Sequence, residues 1–212
     1  IKVCHKHAVR CGEMIWVGGQ VDLTPEGHVN NPTDVQAQTT RAMYHFSRAL
    51  EALDCDLEDV VWLLCFYVND GSMDERDFLA MVGACLPGNA RVAVNAVPVP
   101  ALAYPGLAVE IEGYAIRGTD GHRTKKFVVD HAESESLPKP FYQAVRSGKM
   151  IFVSGQYPYA EKATVSAPGN SVSQTYQVMA QIEQLLGQFG AGFDDVVKIN
   201  RWYAGNVGIE DF

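Results

Sequence analysis

The sequence predicts an α+β fold built from two tandem copies of one small module, and two observations predict it. The first is a self-match. Slid by 136 positions, Gly12-Glu13-Met14-Ile15-Trp16-Val17-Gly18-Gly19-Gln20 falls without a gap on Gly148-Lys149-Met150-Ile151-Phe152-Val153-Ser154-Gly155-Gln156. The same offset carries Gln38-Thr39 onto Gln174-Thr175, Met43 onto Met179, Leu50 onto Leu186, Asp59-Val60-Val61 onto Asp195-Val196-Val197 and Tyr67 onto Tyr203. The second is the order of periodicities in the first copy: strands, helix, strand, helix, strand, strand, which makes a sheet with helices packed on one face.

Met14 to Val17 is a short apolar run closed by Gly18-Gly19, a strand ending where the backbone turns tightly or approaches something closely. Asn31-Pro32 offers a capping residue and a helix-starting proline. Val35, Ala42, Met43, Phe46, Ala49, Leu50 and Leu53 follow at helical spacing, which predicts a helix with one buried face. Val60 to Val68 is a continuous β-prone stretch, read as a strand covered on its inner face by helices. A shorter helix is expected over Asp74 to Cys85. Arg91 to Val99 and Leu107 to Ile116 alternate as strands, separated by a proline-punctuated turn from Pro98 to Pro105. The first module is expected over residues 1–118, a polar linker over 119–126 and the second module over 127–212. Nothing in the second copy matches the first beyond Phe78, so the second module is expected to lack its last strands and to leave an unpaired sheet edge.

Composition bounds the function. With 212 residues, 47% of them hydrophobic, the chain can bury one large core or two ordinary ones. No stretch approaches the roughly 18 apolar residues of a membrane span, and Ile1 to Glu13 lacks the layout of a signal peptide, so no membrane partner and a cytoplasmic location are expected. Five cysteines, Cys4, Cys11, Cys55, Cys65 and Cys85, show no C-x-x-C spacing and read as reduced thiols, the last three packed as small hydrophobes. Cys4, His5 and His7 form a C-H-x-H cluster, but a tetrahedral site needs a second ligand pair that the sequence does not offer, so no metal is expected. The formal charge is −8, and no basic run is longer than Lys125-Lys126, which argues against a nucleic-acid partner.

Several segments of the first copy recur in a known order: Val17-Gly18-Gly19-Gln20, Val35-Gln36-Ala37-Gln38, Glu58-Asp59-Val60-Val61, Asn89-Ala90-Arg91-Val92-Ala93-Val94 and Val109-Glu110-Ile111-Glu112-Gly113. Together they resemble the RidA/YjgF family of imine deaminases. The resemblance covers nearly all of residues 3–118 and, less its last two strands, 138–212. It implies a chorismate-mutase-like α+β module, a mixed sheet with two helices on one face, assembled as a trimer with ligand sites in clefts between neighbouring modules. It also implies hydrolysis of reactive 2-imino and enamine acids, such as 2-aminoacrylate and 2-iminobutanoate, to the 2-keto acid and ammonia, without a metal or organic cofactor.

Carried over position by position, the family's carboxylate-binding arginine falls on Arg91 and its water-positioning acid on Glu110. The tyrosine ahead of the first strand aligns with His5 in the first copy and Phe141 in the second. The serine before the glycine aligns with Gly18 and Ser154, and with Gly19 these complete the implied substrate-binding set. A cysteine two residues after the arginine is replaced by Ala93. The implied partners are a small 2-imino or 2-keto acid and further copies of the chain, in a trimer or a pseudo-trimeric assembly of modules.

The chemistry suits these residue types on its own terms. A planar guanidinium holds a carboxylate through two parallel hydrogen bonds, which orients an α-imino acid. Hydrolysis then needs water at the C=N carbon and a proton at the leaving nitrogen, both within reach of a carboxyl group of raised pKa. Glu110 and Glu112 alternate with Val109 and Ile111, so both lie on one strand face, and their repulsion raises the pKa of at least one. Two other classes stand beside the deaminase: a non-catalytic module that binds keto or amino acids in the same cleft, and a ribonuclease or translation inhibitor, which the acidic balance disfavours.

Overall fold

The structure, a computed structural model of the chain, describes residues 6–130, 137–159 and 164–203. The chain divides into two compact units, Ile1–Ser154 and Gly155–Phe212. The opening strands of the second repeat thus belong to the same unit as the whole first repeat.

In the first unit, β1 (Ala8–Cys11), β2 (Met14–Gln20), β3 (Val60–Val68), β4 (Ala93–Val99) and β5 (Val109–Ile116) form one sheet in the order β1-β2-β5-β3-β4. All neighbours are antiparallel except β3 and β4, which makes the sheet mixed. The helices α1 (Val35–Glu51) and α2 (Glu75–Ala84) cover one face. Met43, Phe46, Leu50, Phe78 and Val82 from them pack with Leu63, Cys65, Tyr67, Val94, Val109 and Ile111. Cys55 shares that core and Cys85 packs against it.

The opposite face is covered as well. The second repeat opens with a three-stranded antiparallel sheet, β6 (Lys126–Val129), β7 (Ala144–Ser147) and β8 (Met150–Val153). Its Val145 and Phe152 pack with Val61, Trp62, Leu64, Ala93, Val97 and Ile116 of the first sheet. Burial of β3 on both sides is why its sequence reads as a continuous apolar run without alternation. The expectation of cover on one face was therefore half of the arrangement.

Two local details differ from the expectations. Asn31 does not cap α1. Its main-chain N–H and side-chain amide both donate to Oδ2 of the buried Asp22, at 3.0 and 2.8 Å. Asp34 caps the helix instead, accepting from the N–H of Ala37 at 2.9 Å. The short strands β1 and β6 went unpredicted; four residues carry too little periodicity to be read.

In the second unit, α3 (Ser171–Gly187) and a 3-10 turn (Phe193–Asp195) stand 136 positions beyond α1 and the 3-10 turn Leu57–Asp59. The repeat extends to single hydrogen bonds. Gln38 Nε2 donates to the carbonyl of Asn31 and Gln174 Nε2 to that of Ala167. The N–H groups of Asp56 and Gly192 both reach Oδ2 of an aspartate three residues on, at 3.0 Å. Residues 196–203, the counterparts of most of β3, are irregular, and Val197 is 86% exposed. A strand with an unpaired edge was expected there. In the first repeat β3 is held between β5 and β4, and the 212 residues contain no counterpart of either.

Candidate active site

The Gly18-Gly19 pair is a β-bulge. Val17 pairs with Gly113 and Gln20 with Ile111, so both glycines lie opposite the single residue Glu112. Gln20, itself buried, locks the bulge by donating its side-chain amide to the carbonyls of Gly18, at 2.9 Å, and Gly19, at 3.3 Å. Its role was not foreseen, although the recurrence of Gly-Gly-Gln as Ser-Gly-Gln signals it: Gln156 Nε2 donates to the carbonyl of Gly155.

Glu110 stands over this bulge. A Cβ built on Gly19 would lie 2.8 Å from Cδ of Glu110 and closer still to Oε1, so only glycine lets the carboxyl rest on the main chain there. Across the strand Glu110 pairs with Phe66. Burial, and to a lesser degree the neighbouring Glu112, push the Glu110 carboxyl above its ordinary pKa. Repulsion between the two glutamates is thus present but secondary to desolvation.

Arg91 sits elsewhere. Trp62 pairs with Ala93, and Phe66 with both Val97 and Glu110. Arg91, two residues before β4, is therefore displaced from the Glu110 row by six residues along the chain, about 20 Å at roughly 3.3 Å per residue, and by two strand spacings of about 4.8 Å each. The exposed guanidinium donates Nη1 to the carbonyl of Lys126 at 3.0 Å. Among the described residues its Nε–Nη2 edge, the one that grips a carboxylate bidentately, has no hydrogen-bond partner.

The second repeat meets the first beside Arg91. The carbonyl of Pro140 accepts from Val92 N–H at 3.3 Å, and Val92 in turn accepts from Tyr142 N–H at 3.0 Å. Ser154 Oγ accepts from the N–H of Val94 at 2.8 Å and donates to the carbonyl of Tyr142 at 2.6 Å. Phe141 is fully buried in the helix-side core, against Gly83 of α2. Phe141 and Ser154, both named among the expected substrate-binding residues, take part in docking the repeats here: the ring is enclosed and the hydroxyl is engaged on both sides.

The implied site residues thus fall into two groups. Arg91, Phe141 and Ser154 come together at the junction of the repeats, and Gly18, Gly19 and Glu110 come together at the bulge. The two groups do not meet within this chain. His5 lies outside the described residues, as does Cys4. Among the described residues no cluster of three or more His, Cys, Asp or Glu side chains is arranged to hold a metal ion, and no helix is long and apolar enough to cross a membrane.

The family model described as endoribonuclease L-PSP matches residues 3–117 and again 134–210, which coincide with the two repeats. A RutC family protein of Pyrococcus horikoshii is 33% identical over 69 residues, which are 31% of this chain and 55% of that protein. Its counterpart in Pyrococcus abyssi is 36% identical over 69 residues, covering 31% and 54%. The chain spans about half the length of the curated relatives it matches. Among solved structures, RidA from an Antarctic Psychrobacter is 24% identical, with a TM-score of 0.47 over 54% of this chain and 89% of that one. A putative endoribonuclease of Thermotoga maritima is 28% identical, with a TM-score of 0.45 over 53% and 86%.

Proposed function

The chain belongs to the endoribonuclease L-PSP family, and from that premise we propose that it is a cofactor-independent hydrolase converting reactive 2-imino and enamine acids to 2-keto acids and ammonia. Its modules are residues 1–118 and 127–212, joined by the linker 119–126. The observation that carries the reading is Glu110: a half-buried carboxyl of raised pKa, seated on a glycine main chain. In its ionised form it takes a proton from water attacking the C=N carbon and passes it to the nitrogen, giving the carbinolamine. It then takes the carbinolamine hydroxyl proton and passes it to the amino group, so that the C–N bond breaks to release ammonia as the C=O of the 2-keto acid forms. Arg91, with its bidentate edge open, holds the substrate carboxylate.

Because Arg91 and Glu110 stand at opposite ends of one sheet face, each complete site needs groups from two modules. The Gly18–Gly19–Glu110 half is completed by the arginine of a further module in a homo-oligomer, trimeric or pseudo-trimeric. The site acts on small carboxylates in the cytoplasm. RNA cleavage, the activity in the family's description, has no basic stripe to support it on a chain of net charge −8.

The test follows keto-acid formation from freshly generated 2-iminobutanoate, trapping unreacted imine with semicarbazide, for wild type, Arg91→Ala and Glu110→Gln. Wild type is expected to accelerate hydrolysis, and Glu110→Gln to lose roughly 100-fold or more. A wild type that binds 2-oxobutanoate without turnover is a binding module, and one that does neither sinks the reading.

A further inference from the structure

We infer that Lys126 is a positioning residue for Arg91: its side chain anchors the linker to the start of β3, and its main-chain carbonyl thereby fixes the guanidinium. The inference rests on the proposed role of Arg91 as the carboxylate holder. Lys126 has two ends that do different things. Its Nζ reaches across to the carbonyls of Glu58, at 2.7 Å, and Val60, the residues leading into β3. Its carbonyl accepts from Arg91 Nη1 at 3.0 Å.

An exposed arginine has four side-chain torsions to fix, and its rotamer freedom is lost on every binding event unless something holds it beforehand. The carbonyl of Lys126 takes one Nη1 hydrogen and leaves the Nε–Nη2 edge, the one that matches a carboxylate, unengaged among the described residues. A carbonyl in a free linker would be a poor brace. This one is braced from both directions: Lys126 pairs with Ser147 at the start of β6, and its ammonium is tied to β3. Asp56, Glu58 and Asp59 attract the ammonium and Arg123 opposes it, though burial outweighs their pull, so the anchor rests on the two main-chain carbonyls. The second repeat thereby acts on a residue of the first through the linker that joins them.

Lys126→Met keeps the apolar stem and removes the anchor. It is expected to raise KM for 2-iminobutanoate, and Kd for 2-oxobutanoate measured by calorimetry, about tenfold, the cost of ordering one rotamer-rich side chain on binding, with kcat unchanged. Lys126→Arg, which still donates to the Glu58 and Val60 carbonyls, is expected to restore most of both. An unchanged KM and Kd in a folded Met variant, or a fall in kcat at constant KM, overturns the inference.

A second measurement covers a Met variant that does not fold. In 15N-labelled wild type the Arg91 Nη1 protons, engaged by the Lys126 carbonyl, are expected to exchange more slowly than those of other exposed arginines. Exchange as fast as theirs overturns the positioning role. That readout is independent of turnover, so a wild type that hydrolyses nothing counts against the proposed reaction while the exchange rates still decide the role of Lys126.

Discussion

Gly19 and Glu110 are matched as a seat and its occupant: the carboxyl of Glu110 fills the space that a Cβ on residue 19 would need. Gly19→Ala must push that carboxyl off the bulge while leaving its chemical identity intact. A displacement of about 1 Å in a catalytic group costs on the order of 100-fold. Steady-state hydrolysis of 2-iminobutanoate is expected to fall by that factor in kcat/KM, with the circular dichroism spectrum preserved. Full activity in the alanine variant would remove Glu110 from the mechanism.

Glu110 also makes a stability prediction with a definite sign. Its folded-state pKa is raised, chiefly by burial and secondarily by Glu112, so the native state holds that proton more tightly than the unfolded chain does. The ionised carboxyl therefore costs stability at neutral pH, and the cost vanishes below the unfolded value of about 4.3. Glu110→Gln is expected to melt higher than wild type at pH 7, and the gap to close as pH falls toward 4. Thermal unfolding across that range reads it directly; a gap that widens on acidification contradicts the burial argument.

Ser154 is a clamp between the repeats, bonded to Val94 N–H and to the carbonyl of Tyr142. Ser154→Ala leaves a buried amide and a carbonyl without that partner, at a cost of about 1–3 kcal/mol. Urea unfolding is expected to show it as a lower midpoint. The position 136 residues earlier is Gly18, which has no hydroxyl, so no such clamp exists at the first bulge.

Gln38 and Gln174 occupy equivalent positions and predict unequal consequences. Gln38 is fully buried, donates to the carbonyls of Asn31 and Gly106, and accepts from the N–H groups of Ala108 and Val109. Gln174 is half-buried and donates to the carbonyls of Ser166 and Ala167. Gln38→Leu is expected to cost about 3 kcal/mol or more, because several buried main-chain groups lose their partner at once, and Gln174→Leu about 1 kcal/mol. Equal costs would mean that the loop between Pro105 and Val109 does not depend on Gln38.

Lys126 titrates in an accessible range, its pKa lowered to about 8 chiefly by burial, against the pull of Asp59, Asp56 and Glu58. A depressed folded value means that the charged ammonium costs stability, and that the cost is relieved as pH rises from about 8 toward the unfolded value of about 10.4. Wild type is expected to gain stability relative to Lys126→Met over that interval and to show no change in the difference below pH 7. Parallel denaturation curves at pH 7, 9 and 10 check it.

Legibility followed the length of each signal. The 17 residues of α1 and of α3 carry enough periodicity, and enough shared identity at Gln38/Gln174, Met43/Met179 and Leu50/Leu186, to be placed without a structure. The cap was misplaced because Asn31 and Asp34 are both good capping residues, and only the buried Asp22, nine positions upstream, decides which of them is free to cap. Arg91 and Glu110 were recognisable one at a time. Their separation was not, because it depends on the cross-strand register of β5, β3 and β4, which pairs Glu110 with Phe66 and Phe66 with Val97.

By itself the sequence determined the module, its duplication at a spacing of 136 residues, the helices and main strands of the first copy, and the residue types able to grip a carboxylate and move a proton. Those follow from local periodicity and side-chain chemistry, which the order of residues carries directly. Only the tertiary structure decided that the second repeat's opening strands close the open face of the first sheet, that Phe141 and Ser154 serve that docking, and that Arg91 and Glu110 lie far apart along the sheet. These are relations between surfaces distant in the chain, set by which apolar faces bury one another and in what register.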